Sequence, residues 1–181
     1  MRRDYAPYEL WKKTGKVMVS EGKCHALRGI RNFCPTFEDK FDIKEITYDR
    51  WNAAQIVQRL VKMGITMVPF VQGFASMSSP TKELMKLVLE QRLAHGGNEP
   101  LAWMADNVTV RTDAAGNVKS DKEKSAEKID GIVVLIMALD RALKQSGGGS
   151  PYDTRGIIVR SPPKKTQQTT SKGRLFVVQY A

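Results

Sequence analysis

Cysteine is scarce in this chain of 181 residues: Cys24 and Cys34 are the only two. With no second pair beside them, they exclude a disulfide framework and a zinc ribbon, which needs four N or S ligands. His25 next to Cys24 does not complete such a site, so free thiols in a reducing compartment are expected. Long apolar runs are lacking as well. The longest, residues 132–139, is far shorter than the roughly 20 residues that cross a bilayer, so no membrane span is expected. Behind Met1-Arg-Arg-Asp-Tyr5 there is no apolar segment of the kind a secretory signal requires, which points to the cytoplasm. Acid is in deficit: 19 Asp and Glu stand against 29 Lys and Arg, and the formal charge of +10 favours a polyanionic partner such as nucleic acid or an acidic surface. Two nucleotide and hydrolase motifs are missing. Gly15-Lys16 and Gly22-Lys23 lack both the upstream glycine and the following Ser or Thr of a phosphate loop. No Gly-x-Ser-x-Gly elbow is present either.

What is present describes one ordinary soluble core, with 41% hydrophobic and 27% charged residues. Residues 1–22 mix aromatics, proline and β-prone pieces, with a strand candidate at 16–20, and 23–35 follow no period. From Phe41 the pattern sharpens. Residues 43–48 read as a strand, and 51–62 as a helix with Ala54, Val57, Leu60 and Val61 on one stripe, closed by Gly64. Residues 67–71 repeat the strand signal. A small-residue loop, 73–79, leads to Pro80, which suits the first position of a helix reaching about Arg92. After the His95-Gly-Gly-Asn98 turn come a short helix at 100–107 and a hairpin pairing 108–111 with 117–120 around Asp113-Ala-Ala-Gly116. A helix over about 125–144 ends at Gly147-Gly-Gly149, and 152–159 form a candidate last strand. Residues 160–181 carry five basic residues and no acid among prolines and a Gln/Thr/Ser run, so they read as a basic, disordered tail behind a domain at 1–159. Removing those five charges from +10 leaves about +5 on the domain.

Two carboxylates stand out. Asp49 closes the strand reading Lys44-Glu-Ile-Thr-Tyr48, and acids at the C-terminal ends of strands in open α/β sheets face the crevice where ligands bind. Capping the next helix is its plainer role. Asp130 shares a helical face with Val133, Val134 and Met137, and a carboxylate on an apolar stripe must be paired, protonated or bound to a cation. Lys128 could pair with it. Hard divalent cations such as Mg²⁺ are held by one or two carboxylates together with substrate phosphates, so converging aspartates on a basic protein point towards phosphodiester chemistry. His95 on its turn is a candidate accessory ligand or acid/base residue, or a polar cap. Trp51, Trp103 and Phe70 read as core rather than base-stacking platforms. Lys119, Lys122, Lys124 and Lys128 surround Asp121, Glu123 and Glu127 as a phosphate-backbone track or as a solvated mixed-charge face.

Several long motifs then carry a resemblance. Tyr48-Asp-Arg-Trp-Asn52, the stretch from Met67-Val-Pro-Phe-Val-Gln-Gly-Phe74 to Ser79-Pro-Thr-Lys-Glu-Leu84, His95-Gly-Gly-Asn98, Trp103-Met-Ala-Asp-Asn-Val108 and Lys128-Ile-Asp-Gly-Ile132 resemble, in order and spacing, the nuclease domain of tailed-phage terminase large subunits. The resemblance covers residues 2–159 apart from 23–35. It implies an α/β, ribonuclease H-like fold, a mixed sheet flanked by helices, and endonucleolytic cutting of concatemeric double-stranded phage DNA for packaging. It further implies a two-metal Mg²⁺ or Mn²⁺ centre, in which one ion activates water and the other stabilises the leaving 3′ oxygen. Asp49 then corresponds to the second metal-binding acid and Asp130 to the last, while Lys122, Lys124 and Lys128 remain the DNA-binding candidates. The implied partners are DNA, the portal and the terminase small subunit in the cytoplasm of a bacterial host, with the gene carried by a phage or prophage. The family's opening strand with its first acid, and its packaging ATPase, have no counterpart in the sequence. The expectation is therefore a partial nuclease domain lacking its first strands and impaired in activity. The alternative is a non-catalytic remnant that binds DNA or the packaging machinery, and a resolvase or transposase of the same fold fits the acids but not the long motif at 67–84.

Overall fold

The structure, a computed structural model, describes residues 6–17, 19, 41–50, 53–145 and 173–179, with the backbone alone for 41, 42 and 173–179. The expected strand at 152–159, the aperiodic segment 23–35, both cysteines, His25 and Trp51 lie outside these residues.

A three-stranded parallel sheet of order β2-β1-β5 is built from β1 (Phe41–Asp49), β2 (Met67–Phe70) and β5 (Gly173–Gln179). Ile46 lies opposite Met67 on one side of β1, and Phe41 lies opposite Gly173 on the other. Residues 173–179 thus form a strand, although the segment 160–181 was expected to be a tail throughout. Leu175-Phe-Val-Val178 is a β-prone apolar run, and the charge and proline upstream of it hide that signal. Side chains alternate across β1. Ile46 turns to one face and is buried with Ala53, Ile56 and Leu60. Glu45 turns to the other, where it meets Arg141.

Helix α2 (Ala54–Lys62) covers the first face with Ile56 and Leu60. Its buried stripe is rotated from the expected one, since Ala54 and Val61 are exposed and Val57 is half-buried. The second face carries α3 (Phe74–Leu89) and α5 (Asp130–Gln145), which join Phe70, Met77, Leu84, Ile132, Val133, Ile136 and Met137 in the main core. Each fully buried apolar side chain there contributes about 2 kcal/mol. The small-residue segment 73–79 is not a loop: α3 starts at Phe74 and contains Pro80. Burial of Met77, Ser78 and Pro80 outweighs the lost backbone hydrogen bond.

Near the chain start, where an entry segment with one strand candidate is expected, the structure has a helix, α1 (Tyr8–Lys13). Trp11 is 2% exposed and packs edge-on against Trp103, ring centroids 5.6 Å apart. Lys16 and Val17, expected to start a strand, instead donate their backbone N–H groups to the Trp11 carbonyl. Helix α4 (Glu99–Asn107) opens where Asn98 accepts the Leu101 N–H at 2.9 Å. Strands β3 (Val110–Thr112) and β4 (Val118–Ser120) form the expected hairpin, its turn held by Asp113 Oδ1 accepting from Ala115 and Asn117. Helix α5 begins at Asp130, later than expected, because residues 121–125 are tied into a turn. Among the described residues, no helix is long and apolar enough to cross a membrane.

Candidate functional site

Parallel strands end on the same edge, and the C-terminal edge of β1 and β2 brings together the first two polar groups of the site. Asp49 is the last residue of β1, and Gln72 follows β2 by two positions. Gln72 Nε2 donates to Asp49 Oδ2 at 2.9 Å and lies 4.0 Å from Met137 Sδ on α5. The N-cap of α2 is Ala53, with no side-chain cap bond, so Asp49 does not serve as that helix's cap.

Asp130 is the first residue of α5, its side chain 42% exposed and bonded to Lys122 Nζ at 2.8 Å. The expectation of a carboxylate buried on an apolar stripe therefore does not hold. Val133 and Met137 are buried, but the stripe opens to solvent at its first residue. Lys122 holds the carboxylate. An acid in the first turn also gains from the positive end of the helix dipole.

Lys122 is placed by Asp121, an acid of the segment read from the sequence as a phosphate track or a mixed-charge face. Asp121 is 4% exposed. Its Oδ1 accepts the Glu123 and Lys124 N–H groups at 3.1 and 3.4 Å. Its backbone N–H donates to the Thr109 carbonyl at 2.8 Å, and its own carbonyl accepts from the Ser125 hydroxyl at 2.6 Å. This turn points Lys122 towards Asp130. Asp121 Oδ2 makes no hydrogen bond and faces Arg111 Nη1 at 3.9 Å. A polar cleft of about 180 Å³ is lined by Gln72, Asp121, Lys122 and Val133, so the partner of Asp49 and the partner of Asp130 share one space.

The two aspartates meet the residues that line this cleft, Gln72 and Lys122, at different heights. Met137, beside Gln72, lies about 10 Å along α5 from Asp130 at the usual helical rise. Among the described residues, no group of three or more acid, His or Cys side chains gathers. His95 is elsewhere: it is exposed and borders an apolar groove of about 680 Å³ with Leu84, Leu101 and Ile132. Lys124 and Lys128 are exposed on the segment leading to α5. Gln72 could have been found in the sequence as the first polar residue beyond β2 on the edge that carries Asp49. Asp121 could not, since its burial and its pairing with Thr109 and Arg111 depend on the folded hairpin.

The donors that could hold a cation are the Asp49 and Asp130 carboxylates and the Gln72 amide oxygen. All are hard oxygens, and an ammonium already sits on Asp130. Such oxygens suit Mg²⁺ or Mn²⁺ in kind, but Asp49 with Gln72 and Asp130 stand at different heights along α5 and do not surround one ion in this arrangement. Beneath the site, Arg141 donates from Nε and Nη2 to the two carboxylate oxygens of buried Glu45. This hydrogen bonding holds Glu45 below the usual carboxylate range against the opposing effect of burial, and it raises Arg141 in turn.

Known proteins resemble the chain over most of its length. The family model described as terminase large subunit, endonuclease domain, matches residues 1–146. The chain is 32% identical over 143 residues to the terminase large subunit of Enterobacteria phage HK97, covering 78% of this chain and 28% of that protein. It is 30% identical over 144 residues to protein YmfN of Escherichia coli (strain K12), covering 78% of this chain and 32% of that one. The crystal structure of the HK97 large terminase superposes with a TM-score of 0.69 at 31% identity, over 76% of this chain and 29% of the other. The chain thus spans less than a third of the length of these relatives. The motifs around Asp49 and Asp130 and the region of the match agree: the chain belongs to the terminase large subunit endonuclease domain family.

Proposed function

We propose that this chain is a ribonuclease H-like, divalent-cation-dependent endonuclease module that cuts double-stranded phage DNA for packaging, with Asp49 and Asp130 as its cation ligands. One observation carries the reading. The end of β1 and the start of α5 each set a carboxylate on a residue that lines one polar cleft, Asp49 on Gln72 and Asp130 on Lys122, and cationic side chains border that cleft. A parallel sheet with helices on both faces supports the fold assignment. Mg²⁺ or Mn²⁺ held there would lower the pKa of bound water and offset charge on the phosphate. The chain's own residues do the rest. Gln72 orients Asp49 by donating to Oδ2, Asp121 holds the turn that presents Lys122, and Lys122 neutralises Asp130 until a cation takes its place. Lys122, Lys124 and Lys128 would then face the DNA backbone. By family, the portal and the terminase small subunit are the protein partners, in the cytoplasm of a bacterial host.

Mn²⁺ binding followed by electron paramagnetic resonance, with a short DNA duplex present, tests the ligand assignment. Asp49→Asn and Asp130→Asn should each weaken Mn²⁺ binding by about tenfold or more while leaving DNA binding nearly unchanged, as expected when one of few carboxylate donors is lost. Parent-like Mn²⁺ affinity in either variant would remove that aspartate from the site. The Lys122–Asp130 pair and the small number of gathered acids favour a second reading, a non-catalytic chain that binds DNA or the packaging machinery. Under it both variants bind Mn²⁺ as the parent does.

A further inference from the structure

The β3–β4 hairpin carries a feature that the metal-site reading leaves unused. Arg111 and Lys119 lie directly opposite each other in the antiparallel register. Like charges facing across strands repel, and a hairpin of only three residues per strand has little to set against that cost. Both cations are nevertheless held at one ring: Arg111 Cζ lies 5.9 Å and Lys119 Nζ 5.1 Å from the centroid of Phe74, the first residue of α3. Cation–π attraction and packing of the long stems on the ring offset the repulsion and fix the spacing of the two charges. Asp121 Oδ2, buried and otherwise without a hydrogen bond, faces the Arg111 guanidinium at 3.9 Å and anchors it from the cleft side. The Arg111 side chain remains 50% exposed, and both residues line the cleft shared by Gln72 and Lys122.

We propose that Arg111 and Lys119 form a two-cation phosphate clamp that seats the DNA backbone at the cleft lined by Gln72 and Lys122, the partners of Asp49 and Asp130, with Phe74 and Asp121 as the residues that position it. The proposal rests on the DNA-cutting reading above and adds to it which side chains grip the strand. A guanidinium offers planar donors to phosphate oxygens and an ammonium a mobile point charge, so the pair can follow a backbone without reading its sequence. The clamp is consequently insensitive to base sequence and steeply dependent on salt.

Fluorescence anisotropy of a labelled short DNA duplex with the full chain, in EDTA and across a KCl series, tests it. Arg111→Gln and Lys119→Gln should each lower the slope of log affinity against log salt by about one, and equally for duplexes of different sequence. Lys119→Arg should keep the parent slope. So should Lys62→Gln, at the end of the helix on the opposite face of the sheet. Arg111→Met and Lys119→Met keep the stem over Phe74 and serve if a Gln variant fails to fold. Folded charge-removing variants with the parent slope would overturn the clamp, as would a parent that binds no DNA at low salt. A parent slope in those variants together with Asp130-dependent cleavage would overturn the clamp alone and leave the nuclease reading standing.

Discussion

At the residue scale, the chemistry of the site is set by which carboxylates are paired and by what. Glu45 is held in its charged form by Arg141, below its ordinary value of 4.5. A depressed carboxylate contributes stability that is fully present above its unfolded pKa and is lost as pH falls through the folded value. Chemical denaturation from neutral to acidic pH should therefore show a loss of stability that Glu45→Gln reduces. Removing the partner, as in Arg141→Ala, leaves a buried charge unpaired and should cost about 3 kcal/mol at neutral pH. A neutral-pH midpoint unchanged by Arg141→Ala would contradict that pairing. Asp121 makes a different prediction. Its Oδ1 can still accept the Glu123 and Lys124 N–H groups in Asp121→Asn, so the turn should survive, while the hold on Arg111 weakens. DNA affinity should fall with little change in melting temperature, and a collapse of the fold would show that the carboxylate is structural alone. The strand pattern located Asp49 at the end of β1, whereas the apolar-stripe argument for Asp130 fails because its side chain is 42% exposed. Their partners were less legible. The pairing with Lys122 depends on a turn that Asp121 builds, and nothing in the local sequence marks that aspartate as buried.

At the element scale, the alternation of strand and helix from Phe41 to Gln145 was readable from periodicity, and the hairpin from Asp113 to Gly116 from turn chemistry. The departures share one cause: packing overrides local preference. Helix α1 exists because Trp11 finds Trp103, a partner far along the chain. Helix α3 runs through Pro80 because that turn is buried against the core, and Ser78 Oγ accepts the Val118 N–H at 3.2 Å, linking helix to hairpin. Helix α5 approaches α4 closely enough that a Cβ at Gly131, next to Asp130, would lie 2.7 Å from Met104 Sδ. Trp11→Ala should cost about 3–5 kcal/mol if α1 is part of the cooperative fold. Urea denaturation followed by far-UV circular dichroism measures this, and a loss below about 1 kcal/mol would mean that α1 is not docked as described.

At the scale of the whole molecule, β1 is the central strand, flanked in parallel by β2 and β5. Its two faces do separate work: Ile46 anchors the core under α2, while Glu45 and Asp49 serve the side on which α5 lies. Truncation after residue 159 would expose the β1 edge and should lower stability and promote association through the unpaired strand. Unchanged stability and a monomeric truncated chain would show that β5 contributes nothing to the sheet. The net positive charge agrees with the proposed DNA ligand, and the central claim is that Asp49 at the end of β1 and Asp130 at the start of α5 support cutting. The most direct test is nicking of supercoiled plasmid by the purified chain in Mn²⁺, with Asp130→Asn alongside. Nicking by the parent that disappears in the variant and in EDTA is the predicted result. Nicking at the parent rate in Asp130→Asn, or none from a folded parent, would contradict it.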